Sequence, residues 1–297
     1  MWVFYALLFP FCFAVVAVLD AYCVEKVFDR PWMGAITSSL SSTIAFLIAP
    51  FILPFVVWQR PSLKIIVLAL LAGTLIQASQ ALYFQSLAYS EAGIVSAYLN
   101  LIPVILPIIS YVVFGQAFSL WTYVGIALNI LASICMCLLD SNFEARWKSF
   151  CMMVAGSCTY AVAVLLEKHI FDHVPVPEGF LLIVTGIIVS GSLPLLVPNV
   201  RQVFNGNWSV LRPAIVTLVG IEVVNLLAIY FRQRAVSLGD PSLVEAVATI
   251  QPAYTFLLSV GLCFIVPRFG DPQAKERLRM KLVLVGVMAV GVKLVSG

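Results

Sequence analysis

Long apolar runs, repeated along the whole chain, are the feature of this sequence that most limits its fold. Each run consists mainly of aliphatic and aromatic residues, and a short charged, proline-rich or glycine-rich break separates it from the next. A helix needs about 20 such residues to cross a hydrocarbon core roughly 30 Å thick. A helix also satisfies its own backbone hydrogen bonds where water is absent. The runs therefore predict an all-α integral membrane protein.

The composition excludes a soluble or nucleic-acid-binding protein. Of the 297 residues, 62% are hydrophobic and only 10% are charged. A soluble domain is usually about half apolar and about a quarter charged, because its surface must be hydrated. The net charge of +3 is spread over short segments, which leaves no extended basic surface for nucleic acid. We expect the lipid bilayer to surround this protein, and the bacterial inner (plasma) membrane to be its location.

The breaks divide the sequence into about ten spans, each of a length suited to the bilayer. All six tryptophans lie at or just outside a proposed span end, where an indole ring anchors at the membrane interface. The spans are predicted near residues 2–24, 33–57, 64–88, 92–114, 118–139, 149–171, 179–200, 213–231, 241–265 and 280–296.

The second half of the sequence repeats short patterns of the first half in the same order. Three of these matches are Val16-Ala17-Val18-Leu19 with Val162-Ala163-Val164-Leu165, Pro50 and Pro54 with Pro194 and Pro198, and Tyr83-Phe84 with Tyr230-Phe231. Five spans are an odd number of crossings, so the second five would run in the opposite orientation. We therefore predict two inverted five-helix repeats, residues 1–141 and 142–297, as in many secondary transporters.

Several motifs resemble those of a known family. They are residues 81–88 (ALYFQSLA) closing span three, a proline-bearing span four, Phe114-Gly115-Gln116 after it, and Gly125 in span five. Together they resemble the EamA-type permeases of the drug/metabolite transporter superfamily. The resemblance implies ten helices, two cytoplasmic termini and movement of small metabolites by alternating access. Gln116 stands where family members often carry glutamate, so no role of that glutamate is transferred.

Glu222 is the clearest candidate for a functional group inside the membrane. It lies nine residues after Pro213, and about 1.5 Å of rise per residue places it roughly 14 Å into span eight. An ionisable group at such depth costs roughly 2.5–3.5 kcal/mol on insertion scales and needs a partner or a function. Asn225 follows on the same helical stripe. We expect this pair to bind a proton or a cationic substrate group; the alternative is a buried acid satisfied by a neighbouring helix.

Span nine carries a second acid beside a proline. Glu245 lies about one turn after a helix start at Asp240-Pro241, and Pro252 follows on the same stripe. A proline within a helix leaves a backbone carbonyl without its usual donor, and that carbonyl can face a cavity. We expect Glu245 to bind substrate or a proton and Pro252 to act as a hinge, unless Glu245 simply reaches interfacial water.

Span four matches this arrangement in the first half. Pro103 and Pro107 interrupt it beside Tyr98 and Asn100. We expect the prolines to be hinges, or else kinks that neighbouring helices tolerate, and the two polar side chains to line the substrate cavity.

Further polar side chains complete the predicted site. Gln77 and Gln80 lie three residues apart deep in span three, where interhelical hydrogen bonding is the simpler explanation. Tyr254 in span nine is predicted to supply an aromatic wall. The cavity walls would then come mainly from spans three, four, eight and nine.

Other charged residues are predicted to lie at span ends. Asp20 is placed near the end of span one, either extending to the interface or paired with a base. Arg232, Arg234 and Lys293 are interpreted as anchors whose long side chains extend to the membrane surface.

The sequence thus predicts a secondary active transporter for a small polar metabolite such as an amino acid or amine, with a proton as the candidate coupling ion. The alternative is a non-transporting scaffold or lipid-handling protein with the same fold. Catalytic motifs of the hydrolase and phosphate-binding kinds do not occur, so we predict no enzyme activity, no cofactor and no metal site. The transported substrate, the direction, the membrane orientation and the choice between monomer and homodimer stay open.

Overall fold

A computed structural model describes residues 1–52, 60–87, 89, 95, 98, 101–115, 117–140, 147–265 and 278–296. Its regular elements are thirteen α-helices and one short 3-10 helix within those residues. The helices of the first predicted repeat are α1 (Trp2–Lys26), α2 (Trp32–Ser41), α3 (Ile44–Ile52), α4 (Leu63–Leu87), α5 (Ile102–Phe114) and α6 (Leu120–Asp140). Those of the second are α7 (Trp147–Phe171), α8 (Val176–Ser192), α9 (Pro198–Gly206), α10 (Trp208–Leu238), α11 (Pro241–Ala248), α12 (Gln251–Ile265) and α13 (Leu278–Ser296).

Six of these segments are long and apolar enough to cross a membrane, and two shorter apolar helices accompany them in the described residues. The longest span, Trp208–Leu238, has 31 residues and a mean hydropathy of 2.2. The predicted all-α membrane class is therefore confirmed. The two shorter apolar segments, Ile102–Val112 and Leu120–Cys135, lie within predicted spans four and five.

Two predicted spans are broken rather than continuous. Span two is divided between α2 and α3 at Ser42 and Thr43. The Thr43 hydroxyl donates to the Leu40 carbonyl at 2.7 Å, and the Ser42 hydroxyl lies 3.1 Å from the Ser38 carbonyl. Hydroxyls that bond to the preceding turn compete with the helix and bend it. Span nine is divided between α11 and α12, just before Pro252. Because proline has no backbone N–H, the helical ladder is interrupted there.

The two predicted repeats pack across one another. The first predicted span of each one runs along the third predicted span of the other, so that α1 packs on α10 and α4 packs on α7. The last helices, α6 and α13, also pack together. The helices that carry the polar groups are therefore held against the opposite half of the chain.

Helix α4 and helix α8 approach closely through a glycine pair. A Cβ on Gly73 would clash with the carbonyl oxygen of Ile183 and come within 2.8 Å of the Ile187 nitrogen. A Cβ on Gly186 would lie 3.1 Å from the Gly73 Cα. Small residues of this kind let membrane helices pack backbone against backbone.

The outer surface is apolar where lipid would surround the protein. Val216 is 84% exposed, and Leu63, Val112 and Leu120 are similarly open. In a soluble protein such extensive exposed apolar surface would be a liability, whereas lipid solvates it.

Candidate functional site

The carboxylate of Glu222 lies in the middle of α10 and is buried, with 2% exposure. Both of its oxygens accept hydrogen bonds from a neighbouring helix break. Ser38 donates to Oε2 and Ser42 donates to Oε1, each at 2.6 Å. Asn225, one turn along α10, donates to Oε1 at 3.2 Å. The acid is thus satisfied by three donors, two of which come from the other predicted repeat.

The hydrogen bonds continue from Glu222 to α4. Gln80 donates to the Ser38 hydroxyl at 2.9 Å, and Ser38 in turn donates to the acid. Gln77, one turn earlier on α4, donates instead to the Ala35 carbonyl at 2.9 Å. Gln80 therefore belongs to the Glu222 network, whereas Gln77 joins α4 to α2 as interhelical bonding would.

A small pocket opens beside this network. Its walls come from α1, α2, α4, α10 and the turn after α1. Three predicted residues, Glu222, Asn225 and Gln80, line it. The remaining lining residues are Val16, Asp20, Phe28, Gly34, Thr37, Ser38, Phe84, Leu218 and Ile221.

Asp20 lies at this pocket. Its side chain is partly buried and shares the pocket with Glu222. Asp20 was predicted to extend to the interface or to pair with a base, and the structure places it beside the buried acid. The sequence places Asp20 near the end of an apolar run, but α1 continues to Lys26, so the residue lies more than one turn inside the helix.

Glu245 lies in a different buried cluster. Its Oε1 is 3.4 Å from Nη1 of Arg232, and Nη2 of the same guanidinium is 2.7 Å from Oε2 of Glu167. Gln233 donates to Oε1 of Glu167 at 2.8 Å, and the guanidinium lies over the Tyr160 ring at 4.9 Å. Arg232 is ten residues beyond Glu222 on α10, which is about 15 Å of helix at 1.5 Å per residue. Glu222 and Glu245 therefore belong to separate sites.

The interpretation of Arg232 as a surface anchor was also wrong. Its side chain is fully buried, with 0% exposure, between two carboxylates and an aromatic ring. The helix does not end near Arg232, as the predicted span does, but continues to Leu238. The extra length takes this guanidinium into the bundle, where only paired charges are tolerated.

The predicted aromatic residues lie apart from the Glu222 pocket. Tyr254 packs against Phe11 with ring centroids 5.7 Å apart, and Tyr98 packs against Phe150 at 5.3 Å. Neither lines the pocket with Glu222. Asn100, also predicted for the site, lies outside the described residues.

Two of the three predicted hinge prolines lie at helix starts. Pro103 is the second residue of α5 and Pro107 lies inside that helix. Pro252 is the second residue of α12, directly after the break in span nine. The hinge role of these prolines stays a prediction.

Sequence reasoning missed the hydroxyl donors to Glu222. Ser38 and Ser42 are four residues apart and so share one face of a helix. Span two carries six Ser and Thr residues between positions 37 and 43, and small hydroxyl residues in a membrane helix are typical of interhelical hydrogen bonding. The spacing of these two serines indicates an interhelical contact. Nothing in the sequence shows which acid their hydroxyls would bind.

Comparisons with known proteins agree with this fold. Residues 1–138 match the model of the EamA-like transporter family. No curated relative matches the sequence. A crystal structure is similar over 98% of this chain and 98% of that chain, with a TM-score of 0.67 and 15% sequence identity, which shows a shared fold alone. Residues 1–138 are therefore similar to the EamA-like transporter family, part of the drug/metabolite transporter superfamily that the motifs resembled, and the chain is an integral membrane protein.

Proposed function

We propose that this protein is a secondary active transporter that moves a small polar metabolite across a bacterial inner membrane through the Glu222 pocket. The observation that supports this most directly is a buried carboxylate at mid-helix beside a pocket. Carboxylates at membrane depth are rare and mark substrate or ion pathways by default. No catalytic role is proposed.

Alternating access would follow from the crossed packing of the two predicted repeats. The pocket is lined by helices α1, α2 and α4 of one repeat and by α10 of the other. Rocking of one repeat against the other would therefore change the exposure of the pocket to each side, with the two predicted repeats in opposite orientations. The breaks in spans two and nine supply places where such motion can be absorbed.

The hydrogen bonds of Glu222 suggest how a proton would be coupled. Ser38, Ser42 and Asn225 each donate to the acid. Movement of α2 away from α10 would remove two of these donors and change the surroundings of the carboxylate. Opening of the pocket and uptake of a proton would then be linked at Glu222.

The test is flux in proteoliposomes that contain the full chain, with imposed substrate or proton gradients and a panel of amino acids and amines. We expect Glu222→Gln to reduce the flux at least tenfold and to remove its response to a pH gradient. Asp172→Asn is the matched control, because Asp172 is an exposed carboxylate paired only with Lys168 among the described residues. Equal flux for wild type and Glu222→Gln would refute the coupling role.

A non-transporting scaffold or lipid-handling protein is the second candidate. The full set of donors on Glu222 favours it, since a purely structural acid would be satisfied in this way. The pocket beside that acid counts against it. The absence of flux for every compound in the panel, with folded protein in the liposomes, would favour the scaffold.

A further inference from the structure

The Glu222 pocket is small, and half of its lining side chains carry oxygen. It has room for about one water molecule. Lys, Arg, His and Cys do not occur among the lining residues that the structure describes. An occupant of the pocket must therefore be a single small species that oxygen atoms can bind. The oxygen-bearing lining residues are Asp20, Thr37, Ser38, Gln80, Glu222 and Asn225.

The hydrogen bonds around Glu222 leave several of these oxygens without a partner. Ser38 uses its one hydroxyl hydrogen for Glu222, so Gln80 must present its NH₂ group to Ser38 and keeps its carbonyl oxygen free. The amide nitrogen of Asn225 donates to Glu222, which leaves the carbonyl oxygen of Asn225 free as well. Within the described part of the chain, Asp20 makes no hydrogen bond or ion pair. The pocket thus has free acceptors from α1, α4 and α10.

These free acceptors suit a metal cation better than a water molecule. A single water has two hydrogens and cannot donate to all three side chains at once. A cation is attracted to several oxygens together, and carboxylate and carbonyl oxygens are the ligands that hard metal ions prefer. Such oxygens can replace the hydration shell of an ion that enters a site without its water.

The ligands favour a monovalent ion over a divalent one. Asp20 is the one lining carboxylate with free oxygens in the described residues, because both oxygens of Glu222 already accept hydrogen bonds. The described residues also contain no group of three or more His, Cys, Asp or Glu that could hold a metal ion. Mg²⁺ usually keeps several of its waters, and this pocket has no room for them. One carboxylate with neutral oxygens matches a single positive charge.

The pocket also lies beside a broken helix. Ser38 and Ser42 bind Glu222 from the end of α2, where span two is interrupted. In many secondary transporters, coupling ions bind near the membrane midplane at discontinuous helices. The position of the pocket therefore fits an ion whose binding is linked to movement of α2.

We propose that this pocket binds one dehydrated alkali-metal ion, sodium or potassium, with Asp20 as the charged ligand and Gln80 and Asn225 as neutral oxygen ligands. A ligand carboxylate binds a metal ion in its ionised form. The binding site stands on these residues alone, whereas its role as a coupling-ion site rests on the proposed transport function.

The first experiment measures equilibrium binding of radiolabelled sodium, and separately of radiolabelled rubidium in place of potassium, to the purified full chain in detergent. The ionic strength is held constant. We expect saturable binding of at least one of the two ions, which the unlabelled ion displaces. Choline and Mg²⁺ should not displace it, because choline and hydrated Mg²⁺ are too large for the pocket. The absence of saturable binding for both ions, or equal displacement by choline, would overturn the inference.

The second experiment repeats this measurement on matched carboxylate variants. Asp20→Asn preserves the side-chain size but removes the charge, and we expect it to weaken binding of the preferred ion roughly tenfold or more. Asp172→Asn removes an exposed carboxylate outside the pocket and should leave the affinity unchanged. Unchanged affinity in folded Asp20→Asn would contradict the role of Asp20.

A pair of glutamine variants covers the case in which Asp20→Asn fails to fold. Gln80→Met removes a free carbonyl oxygen at the pocket and should weaken binding roughly threefold or more. Gln77→Met is the matched control, since Gln77 does not line the pocket and bonds to the Ala35 carbonyl one turn earlier on α4. Equal ion affinities for the two variants would contradict the proposed ligands.

The outcomes also separate this inference from the proposed function. A protein that binds sodium or potassium at Asp20 but moves no compound in proteoliposomes keeps the ion site and refutes transport. A protein that transports metabolites without saturable binding of either ion keeps transport and refutes the ion site.

Discussion

The hydroxyl of Ser42 donates a 2.6 Å hydrogen bond to Oε1 of Glu222, and this bond joins the end of α2 to the middle of α10. The same hydroxyl lies 3.1 Å from the Ser38 carbonyl, at the point where span two is broken. One residue thus takes part both in the helix break and in the environment of the buried acid.

Removal of this hydroxyl should weaken the fold. We expect Ser42→Ala to lower the free energy of unfolding by about 1.5 kcal/mol, at the low end for a hydrogen bond to a charged group, because Ser38 and Asn225 still donate to the acid. The measurement is equilibrium unfolding in detergent. Thr43→Ala is the control, since the exposed Thr43 hydroxyl bonds only to the nearby Leu40 carbonyl, and its effect should stay within about 0.5 kcal/mol.

Neutralisation of the buried guanidinium should be more damaging. Arg232→Met leaves Glu167 and Glu245 without their cation, and a broken buried ion pair costs about 3–5 kcal/mol. Arg234→Met changes a partly exposed arginine two residues away and should cost about 0.5 kcal/mol or less. Similar unfolding free energies for the two variants would show that the Arg232 cluster contributes little to the fold.

The two acids around Arg232 should not be equivalent. Glu167 lies 2.7 Å from the guanidinium and also accepts from Gln233, whereas Glu245 has one contact of 3.4 Å. We therefore expect Glu167→Gln to destabilise the protein by at least about 1 kcal/mol more than Glu245→Gln. Thermal unfolding of both variants in the same detergent gives the comparison, and the reverse order would contradict it.

The glycine contact between α4 and α8 gives a steric prediction. Gly73→Ala places a methyl group against the Ile183 carbonyl and should cost about 1–3 kcal/mol through overpacking. Gly220→Ala is the matched control, because no heavy atom lies within 4 Å of the added Cβ. That variant should be neutral or stabilise α10 by up to about 1 kcal/mol through its higher helix propensity. Equal effects would mean that the α4–α8 contact is not tightly packed.

Part of the candidate site followed from local spacing. Glu222 and Asn225 were placed on one stripe because residues three apart share a helix face, and the hydrogen bond between them shows that they do. Gln80 was selected as a deep polar residue and meets the same network through Ser38. These inferences needed only the helix period and the high cost of polar groups in lipid.

Other parts of the site depended on which helices meet. Asp20 and Glu222 are about 200 positions apart in sequence, yet line one pocket because α1 crosses to pack on α10. Glu245 was grouped with Glu222, but it pairs with Arg232 about 15 Å farther along α10. Helix periodicity predicts on which face of its helix a residue lies. It gives no information about which helix packs against that face.

The sequence by itself determined that this chain spans a membrane as an α-helical protein, because long apolar runs without enough charge for a hydrated surface can do little else. The short motifs added a resemblance to a transporter family, whose model matches residues 1–138. Only the tertiary structure decided that Glu222 meets Ser38 and Ser42, that Asp20 shares its pocket, and that Arg232 is buried between two acids. The physical reason is that hydrophobicity is a property of each segment alone, whereas satisfying a buried polar group depends on the distance and orientation of another segment.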